Sequence, residues 1–395
     1  MGDPWLTIIG LGEDGLAGLT DASRDALARA QIVFGGPRHL ALVGADARGR
    51  VWPVPFDLAD VLATKGSNVA VLASGDPFWY GAGGSLAAHL DPSEWRCFPG
   101  VSTFSLAASR LGWKIEEVAC LGLHAAPFAR LLPPMANGRR AICLVSGGAG
   151  VAELADWLMA HGQSAARLWV MEALGGAGER VREVRADAMA LADIGALVAV
   201  AVEPLGVQSA ALPTVPGLPD SSFAHDGQIT KAPIRALTLA ALAPRPGELL
   251  WDIGAGSGSV SVEWCRAGGR AIAVEARGDR VANIRANVDA FGLAAQMTVV
   301  EGAAPVALIG LLMPDAVFVG GGANQGLLCS LWNALPLGGR MVCNGVTLET
   351  EGLLAEWHAA KGGFLMRIDL ALAAPLGRMR GWAAARPVVQ WSARK

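Results

Sequence analysis

The chain has 395 residues, 52% of them hydrophobic, and a formal net charge of −3, long enough for two or three domains with sizeable cores. That slightly acidic balance excludes a whole-chain basic field of the kind that draws a protein to DNA or RNA. No apolar run reaches the roughly 18 residues a membrane span needs, since Pro305, Pro314 and Gly320 bound and interrupt the greasiest stretch, Val306 to Val319.

Asp3 stands where a signal peptide would be basic, and Leu6 where a myristoylation motif wants Ser or Thr. Cys97, Cys120, Cys143, Cys265, Cys329 and Cys343 lie far apart with no C-x-x-C pair, and the six histidines form no H-x-x-x-H pair. A disulfide framework, a zinc ribbon and a catalytic metal are therefore not expected, and a cytoplasmic setting is.

In chain order, residues 5–12 (WLTIIGLG) read as a strand, then a loop and the helix DASRDALARA. Thr20 or Asp21 can cap this helix, with Ala22, Ala26 and Leu27 facing inward. The strand QIVFGG follows, and Val69 to Ala73 form a buried strand that runs into SGDPFWYGAGGSL. Trp95 to Phe98 lead into PGVSTFSLAASRLG, a strand end, turn and helix. Strands at 141–145 and 167–171 flank a helix from about Val151 to His161, and ALVAVAVEP (196–204) closes the first half. Short apolar strands alternating with helices mean α/β architecture.

Three clusters stand out here. Gly10 and Gly12 open the first, followed by Glu13, Asp14 and Leu19-Thr20; its two acids argue against phosphate. Gly75-Asp76-Pro77 with Tyr80-Gly81 is the second, where Pro77 fixes the turn and the glycines permit close backbone approach to a flat ligand. In the third, Pro99-Gly100-Val101-Ser102-Thr103, the hydroxyls can cap a helix or reach a ligand. Taken singly, each reads more readily as a structural turn; all three in this order are far more specific.

Pro204 to Pro233 hold five prolines and little charge, so a first domain over 1–205, a linker over 206–223 and a second domain over 224–395 are expected. The second domain reads as a doubly wound sheet. Its strands lie near 249–253, 271–275, 297–300, 315–319 and 340–344, its first helix is near 233–243, and a β-hairpin addition lies between Phe364 and Trp391.

Its first strand ends in LLWDIGAGSGS, with Asp252 ahead of Gly254, Gly256 and Gly258. A dinucleotide fingerprint needs its third glycine at relative position six, which here is Ser259. An acid beside a tight glycine turn repels a pyrophosphate and suits a cationic amino-acid moiety. S-adenosylmethionine carries an ammonium and a sulfonium, and Glu275, at the end of the next strand, can accept hydrogen bonds from ribose hydroxyls. An ordinary tight βα turn is the plain alternative.

The G-x-G loop with Leu-Thr, SGDP (74–77) and PGVST (99–103) together resemble the tetrapyrrole (corrin and sirohaem) methyltransferases over residues 5 to 205. Met171-Glu172-Ala173-Leu174-Gly175 with Glu179 looks like that family's E-x-L-G-x-x-x-E element, whose backbone lies near the adenine. Thr103 replaces the commoner Ser. The resemblance implies a cofactor cleft formed by Gly10, Gly12, Gly75, Asp76, Pro77, Ser102, Thr103 and Met171.

HDGQITKAPIR, the glycine loop, EGAAP (301–305), VGGG (319–322) and NGVTLET (344–350) resemble the Rossmann-like, class I decarboxylating methyltransferase domain of corrin synthesis. That implies cofactor contacts from Thr230, Gly254, Ala255, Gly256, Ser257, Gly258, Glu275 and Ala303, with Asp252 orienting the loop or meeting the ammonium. Gly320, Gly321, Gly322, Asn344 and Thr347 would floor the tetrapyrrole pocket. Lys231 and Arg235, one turn apart, could pair with substrate carboxylates or simply form a solvated helix face. Arg139, Arg140, Arg378 and Arg380 are weaker candidates, and Trp79 is a candidate cleft residue.

The two halves together resemble the fused decarboxylating precorrin methyltransferases of cobalamin biosynthesis. The resemblance implies two S-adenosylmethionine sites per chain, a tetrapyrrole (precorrin) substrate and a homo-oligomer. Methylation at C5 would fall to the N-terminal domain, and methylation at C15 with loss of the C12 acetate carboxyl to the C-terminal one; the residue that assists decarboxylation stays unassigned. Two other readings stay open. A nucleic-acid methyltransferase would carry a basic stripe and N/D-P-P-(Y/F) where this chain has VGGG, and a non-enzymatic tetrapyrrole-binding scaffold is consistent with the motifs alone.

Overall fold

The computed structural model describes residues 4–53, 56–135, 139–204, 212–213 and 215–395. The chain divides into two compact units, Met1–Ala211 and Leu212–Lys395.

In the first unit, β1 (Leu6–Leu11), β2 (Ile32–Gly35), β3 (Gly49–Val51), β4 (Val69–Ser74) and β5 (Trp95–Phe98) form a parallel sheet of order β3-β2-β4-β1-β5. LTIIGL of β1 is buried throughout, as expected of a strand covered on both faces. Thr20 caps the helix Asp21–Arg29 by accepting from the Ser23 amide. The inward residue of its first turn is Ser23, while Ala22 is exposed, contrary to the hydrophobic pattern. The Ser23 hydroxyl donates to the Thr20 carbonyl at 2.9 Å, so the hydroxyl is satisfied locally and can face the core.

A second sheet of order β6-β7-β10-β8-β9 contains β6 (Ala119–Gly122), β7 (Ala141–Leu144), β8 (Arg167–Glu172), β9 (Arg180–Arg185) and β10 (Val198–Glu203). Sequence reading misses β9, RVREVR, because this edge strand buries none of its residues and so shows no apolar face. Its Arg180 and Arg182 both reach the Glu172 carboxylate, and the hydrogen bond from Arg180, foremost, holds that acid down at about 2.

In the second unit, β11 (Leu249–Ile253), β12 (Arg270–Glu275), β13 (Met297–Glu301), β14 (Ala316–Val319) and β15 (Arg340–Gly345) run parallel. Two later strands, β16 (Phe364–Ile368) and β19 (Val388–Arg394), extend the sheet antiparallel in the order β13-β12-β11-β14-β15-β19-β16. The expected C-terminal hairpin pairing is present, since LMRI of β16 and VVQW of β19 are antiparallel neighbours. It is not a separate addition, because β19 also pairs with β15 in the main sheet, and its outer end forms a second ladder, β17 (Ala371–Leu376) with β18 (Met379–Ala384). VVQW is buried, and the Trp391 ring lies 5.6 Å from Trp357 and 5.9 Å from Trp332, which makes β19 an interior strand.

Of the stretch expected as a linker, residues 206–211 and 214 lie outside the described residues. Leu218 and Phe223 are buried with Leu239, Leu250 and Trp264 in the second unit's core. Arg235 fastens this segment down. It is 0% exposed and donates from Nε to Glu263 at 2.6 Å, from Nη1 to the Thr230 carbonyl and from Nη2 to the Leu218 carbonyl. Its guanidinium also lies 4.7 Å from the Phe223 ring. Glu263 accepts in turn from the amides of Gly217 and Leu218. Arg235 is thus a fold residue and not a substrate ligand, because its donors are spent on buried acceptors.

Arg235→Met would leave Glu263 buried beside no cation, at an expected cost of about 3–5 kcal/mol. The measurement is the urea midpoint of residues 212–395 within the full chain, and an unchanged midpoint would contradict the assignment.

Candidate functional site

In the first unit the three motif loops meet at the carboxyl ends of β1, β4 and β5. The Gly75 amide donates to the Leu11 carbonyl at 2.9 Å, and the Gly100 amide to the Gly75 carbonyl at 3.1 Å. A Cβ on Gly10 would collide with the Gly75 carbonyl oxygen and the Gly100 nitrogen, and one on Gly100 would sit 2.9 Å from that same oxygen. These glycines let the loops approach one another. Pro77 plays a similar part, since its carbonyl backs Gly81 and Gly83.

The adjoining cleft, of about 200 Å³, is lined by Asp76, Ser102, Thr103, Trp79, Tyr80 and His39 among others. Ser102 caps the helix Thr103–Leu111 by accepting from the Ser105 amide, and Asp76 accepts from the Phe78 amide at 2.9 Å. Burial, helped by the neighbouring Arg38 charge, pushes His39 down to about 4. Gly10, Gly12, Gly75, Pro77 and Met171 do not line this cleft. The Met171 side chain packs in the core with Phe104 and Ile142, and its backbone lies within β8 between Ala199 of β10 and Val181 of β9. Glu179 is committed to Arg110 and to the Gly175 amide.

In the second unit the sheet order reverses between β11 and β14, the place where open α/β sheets bind ligands beyond their carboxyl ends. A cleft of about 920 Å³ opens there. Gly254, Ala255 and Gly256 form its wall at β11, and Gly320, Gly321 and Gly322 its wall at β14. Gly254 has φ +66°, and a Cβ on it would lie 2.9 Å from the Gly321 carbonyl oxygen, so the two loops touch backbone to backbone. Glu275 and Ala303 line the β12 and β13 side, Thr230 and Lys231 the start of the first helix, and Asn344 the β15 side.

Glu275 accepts from the Gly256 amide at 2.9 Å and from the Arg277 amide at 3.0 Å. It braces the glycine loop, and each carboxylate oxygen keeps acceptor capacity beyond its one backbone bond. Asn344 belongs to a hydrogen-bonded set with Thr238 and Gln390. Because Thr238 donates to the Ile234 carbonyl, its oxygen accepts from both amides, and this fixes Asn344 Nδ2 as a donor.

Several expected site residues lie elsewhere. Asp252 is fully buried and accepts from the Ser261 amide and hydroxyl, so it ties the glycine loop to the following helix and does not line the cleft. Gly258 is packed against Ile284, which a Cβ would approach to 2.9 Å, and the Ser257 carbonyl accepts from Asn287; neither lines the cleft. Thr347 caps the helix Leu348–Lys361. Sequence reading overlooks Arg277, Arg280, Arg386 and Val388, all cleft residues. The one signal for Arg386 is that no Asp or Glu follows Asp369 in the chain.

Burial pushes the Asp252 carboxyl up to about 6, with the Glu275 charge adding to the rise against the Ser261 hydrogen bonds. A folded value above the unfolded one, near 3.9, means that the fold prefers the protonated acid. The corresponding stability is complete below about pH 4 and lost as pH rises through about 6, roughly 3 kcal/mol in all. Asp252→Asn removes the ionisation. Urea unfolding of both proteins at a series of pH values should show the variant gaining on the wild type between pH 4 and 7, and parallel curves would refute this.

A family model described as "Precorrin methyltransferase domain" matches residues 221–395, and one described as "Tetrapyrrole (Corrin/Porphyrin) Methylases" matches residues 5–190. The chain is 46% identical over 397 residues to a precorrin-6Y C(5,15)-methyltransferase [decarboxylating] of Sinorhizobium sp., covering 98% of this chain and 96% of that one. It is 39% identical over 399 residues to a protein of the same name from Mycobacterium tuberculosis H37Rv, covering 99% and 100%. A crystal structure of the C-terminal domain of precorrin-6Y C5,15-methyltransferase from Rhodobacter capsulatus is 62% identical, covers 47% of this chain and 100% of its own, and aligns with a TM-score of 0.46. With identity sustained over the full length of such relatives, this chain belongs to the precorrin-6Y C(5,15)-methyltransferase (decarboxylating) family.

Proposed function

We propose that the chain methylates a reduced corrin precursor, precorrin-6Y or its reduced neighbour, at C5 and C15 and removes the carboxyl of the C12 acetate. The observation that carries this reading is full-length identity to a relative of that name, in a chain with a separate cleft in each unit. The second unit is read as the C15 and decarboxylation centre, and the first as the C5 centre.

The residues of the second cleft fit S-adenosylmethionine. Glycine backbones at a topological switch point leave room where a side chain would not fit, and Glu275 supplies negative charge for a cationic ligand. When bound, S-adenosylmethionine supplies an electrophilic sulfonium methyl. Gly254 to Gly256 would hold the amino-acid part, Glu275 the ribose, and Ala303 would lie at the adenine. A meso carbon of a partly reduced tetrapyrrole is enamine-like and nucleophilic, and it loses its proton after methylation. The protein's part is then positioning and exclusion of water. In the decarboxylation the carboxylate's electron pair passes into the conjugated macrocycle as carbon dioxide leaves, and a proton from solvent completes the methyl group.

A homo-oligomer belongs to the same reading, supported by the exposed Leu372, Leu376, Met379 and Trp382 of the hairpin, and light scattering tests it. A cytoplasmic setting accords with six cysteines that are all free. No helix among the described residues is long and apolar enough to cross a membrane.

Calorimetry is expected to find two S-adenosylmethionine sites in the wild-type chain and one in Glu275→Ala, because the glycine loop loses its brace. A single wild-type site would defeat the two-site reading. Mass spectrometry of the tetrapyrrole after turnover should show two added methyl groups and one lost carbon dioxide. A product with only the methyl groups would remove decarboxylation from this chain.

A further inference from the structure

Glu275 is the one acid lining the second cleft, and of the cations lining it one is uncommitted among the described residues. Lys231 is paired with Asp220 at 3.3 Å, Arg277 with Asp279 at 2.6 Å and Arg280 with Asp226 at 3.0 Å. Arg386 also lines the cleft, and among the described residues it makes no ion pair or hydrogen bond. Nothing nearby in sequence can neutralise it, since no acid lies between Leu370 and Lys395. Its backbone is well anchored: Pro387 fixes the next φ, and Val388 is buried at the start of β19, an interior strand.

The strand order places Arg386 relative to Glu275. Four strand spacings separate β12, which ends in Glu275, from β19, a span of roughly 19 Å at the usual spacing between neighbours. The glycine loops on β11 and β14 lie between them. A cationic methyl donor on Glu275 and the glycine loops would therefore leave the β15 and β19 side open, where Asn344 offers a donor and Ile234, Leu370 and Val388 form an apolar wall.

We propose that Arg386 is the anchor for a carboxylate side chain of the tetrapyrrole in the second cleft, setting that polycarboxylate macrocycle against the β15 and β19 side. The proposal rests on the function proposed above. A guanidinium suits this task because its planar donors match a carboxylate two at a time. The anchored group is one other than the departing carboxyl, since a cation on the latter would stabilise the ionised reactant and slow its loss. The apolar wall provides the uncharged surroundings that the departing group needs.

The test uses the full chain and Arg386→Gln, Arg386→Ala and Arg386→Lys, with a reduced corrin precursor as substrate and carbon dioxide release as the readout. In the Gln and Ala variants KM for the tetrapyrrole should rise about tenfold to a hundredfold, the loss expected of a charged hydrogen bond. Their kcat and S-adenosylmethionine Kd should stay near the wild-type values. Arg386→Lys should recover part of the affinity, and added salt should raise KM in the wild type more than in Arg386→Gln. An unchanged KM overturns the proposal, as does a loss of S-adenosylmethionine affinity together with KM, which would mark Arg386 as structural. A wild-type chain that binds the tetrapyrrole without turnover would count against the proposed activity alone, and the dissociation constants would then decide the role of Arg386. Failure to bind overturns both.

Discussion

Backbone-to-backbone contact at strand ends is the constraint on which both clefts depend. Neighbouring strands of a parallel sheet end close together, and the loops that leave them must diverge unless no side chain intervenes. Gly10, Gly75 and Gly100 in the first unit, and Gly254 with Gly320 in the second, remove that side chain where two loops meet. The loops then interlock through their own amides, as Gly75 does with Leu11 and Gly100 with Gly75. Each cleft is thus a rigid margin of its sheet, which is the support a positioned methyl transfer requires.

Charge within the second unit divides into two kinds of work. Arg235 with Glu263, and Arg340 with Glu248, bind segments together through buried or half-buried carboxylates. Glu275 and Arg386 stay at the cleft surface with acceptor or donor capacity to spare. Residue type and spacing do not separate these classes; the partners each side chain meets do. Lys231 and Arg235 stand one turn apart on one helix, yet the first lines the cleft and the second is enclosed.

Sequence carried the architecture well wherever apolar runs alternated with glycine turns. The strands at 249–253 and 297–300 lie within a residue of their observed ends, the first as a mostly apolar run buried throughout and the second, only partly buried, through its β-branched residues. Strand β9 is invisible in the sequence, since an edge strand with charged residues on both faces shows no alternation of apolar and polar residues. The pairing of the C-terminal strands is legible as a hairpin, while its attachment to the main sheet is not, because the ladder between β15 and β19 joins residues about fifty apart in the chain, which local pattern does not encode. Of the second cleft, the glycines, Glu275, Ala303 and Asn344 were legible as strand-end residues. Asp252 was legible as an acid beside the loop, but its inward direction depends on Ser261, nine residues later. Thr347 looked like a pocket hydroxyl and is a helix cap, a distinction that only the Thr350 amide makes.

The position of β19 between β15 and β16 bears on how the chain is made. Protein synthesis delivers residues from the amino end, and domains generally fold as they emerge. The first unit has every strand it needs once Glu203 has appeared. The second unit must wait for its final residues, since Val388 to Arg394 fill the gap between two strands already present. Until then β15 and β16 keep open edges of the kind that recruit other chains, and the wall that holds Arg386 does not exist. A nascent chain would therefore form its first cleft early and its second only after Arg394 has emerged, so a chain that stops short of it has one finished lobe and one that is exposed to aggregation and proteolysis.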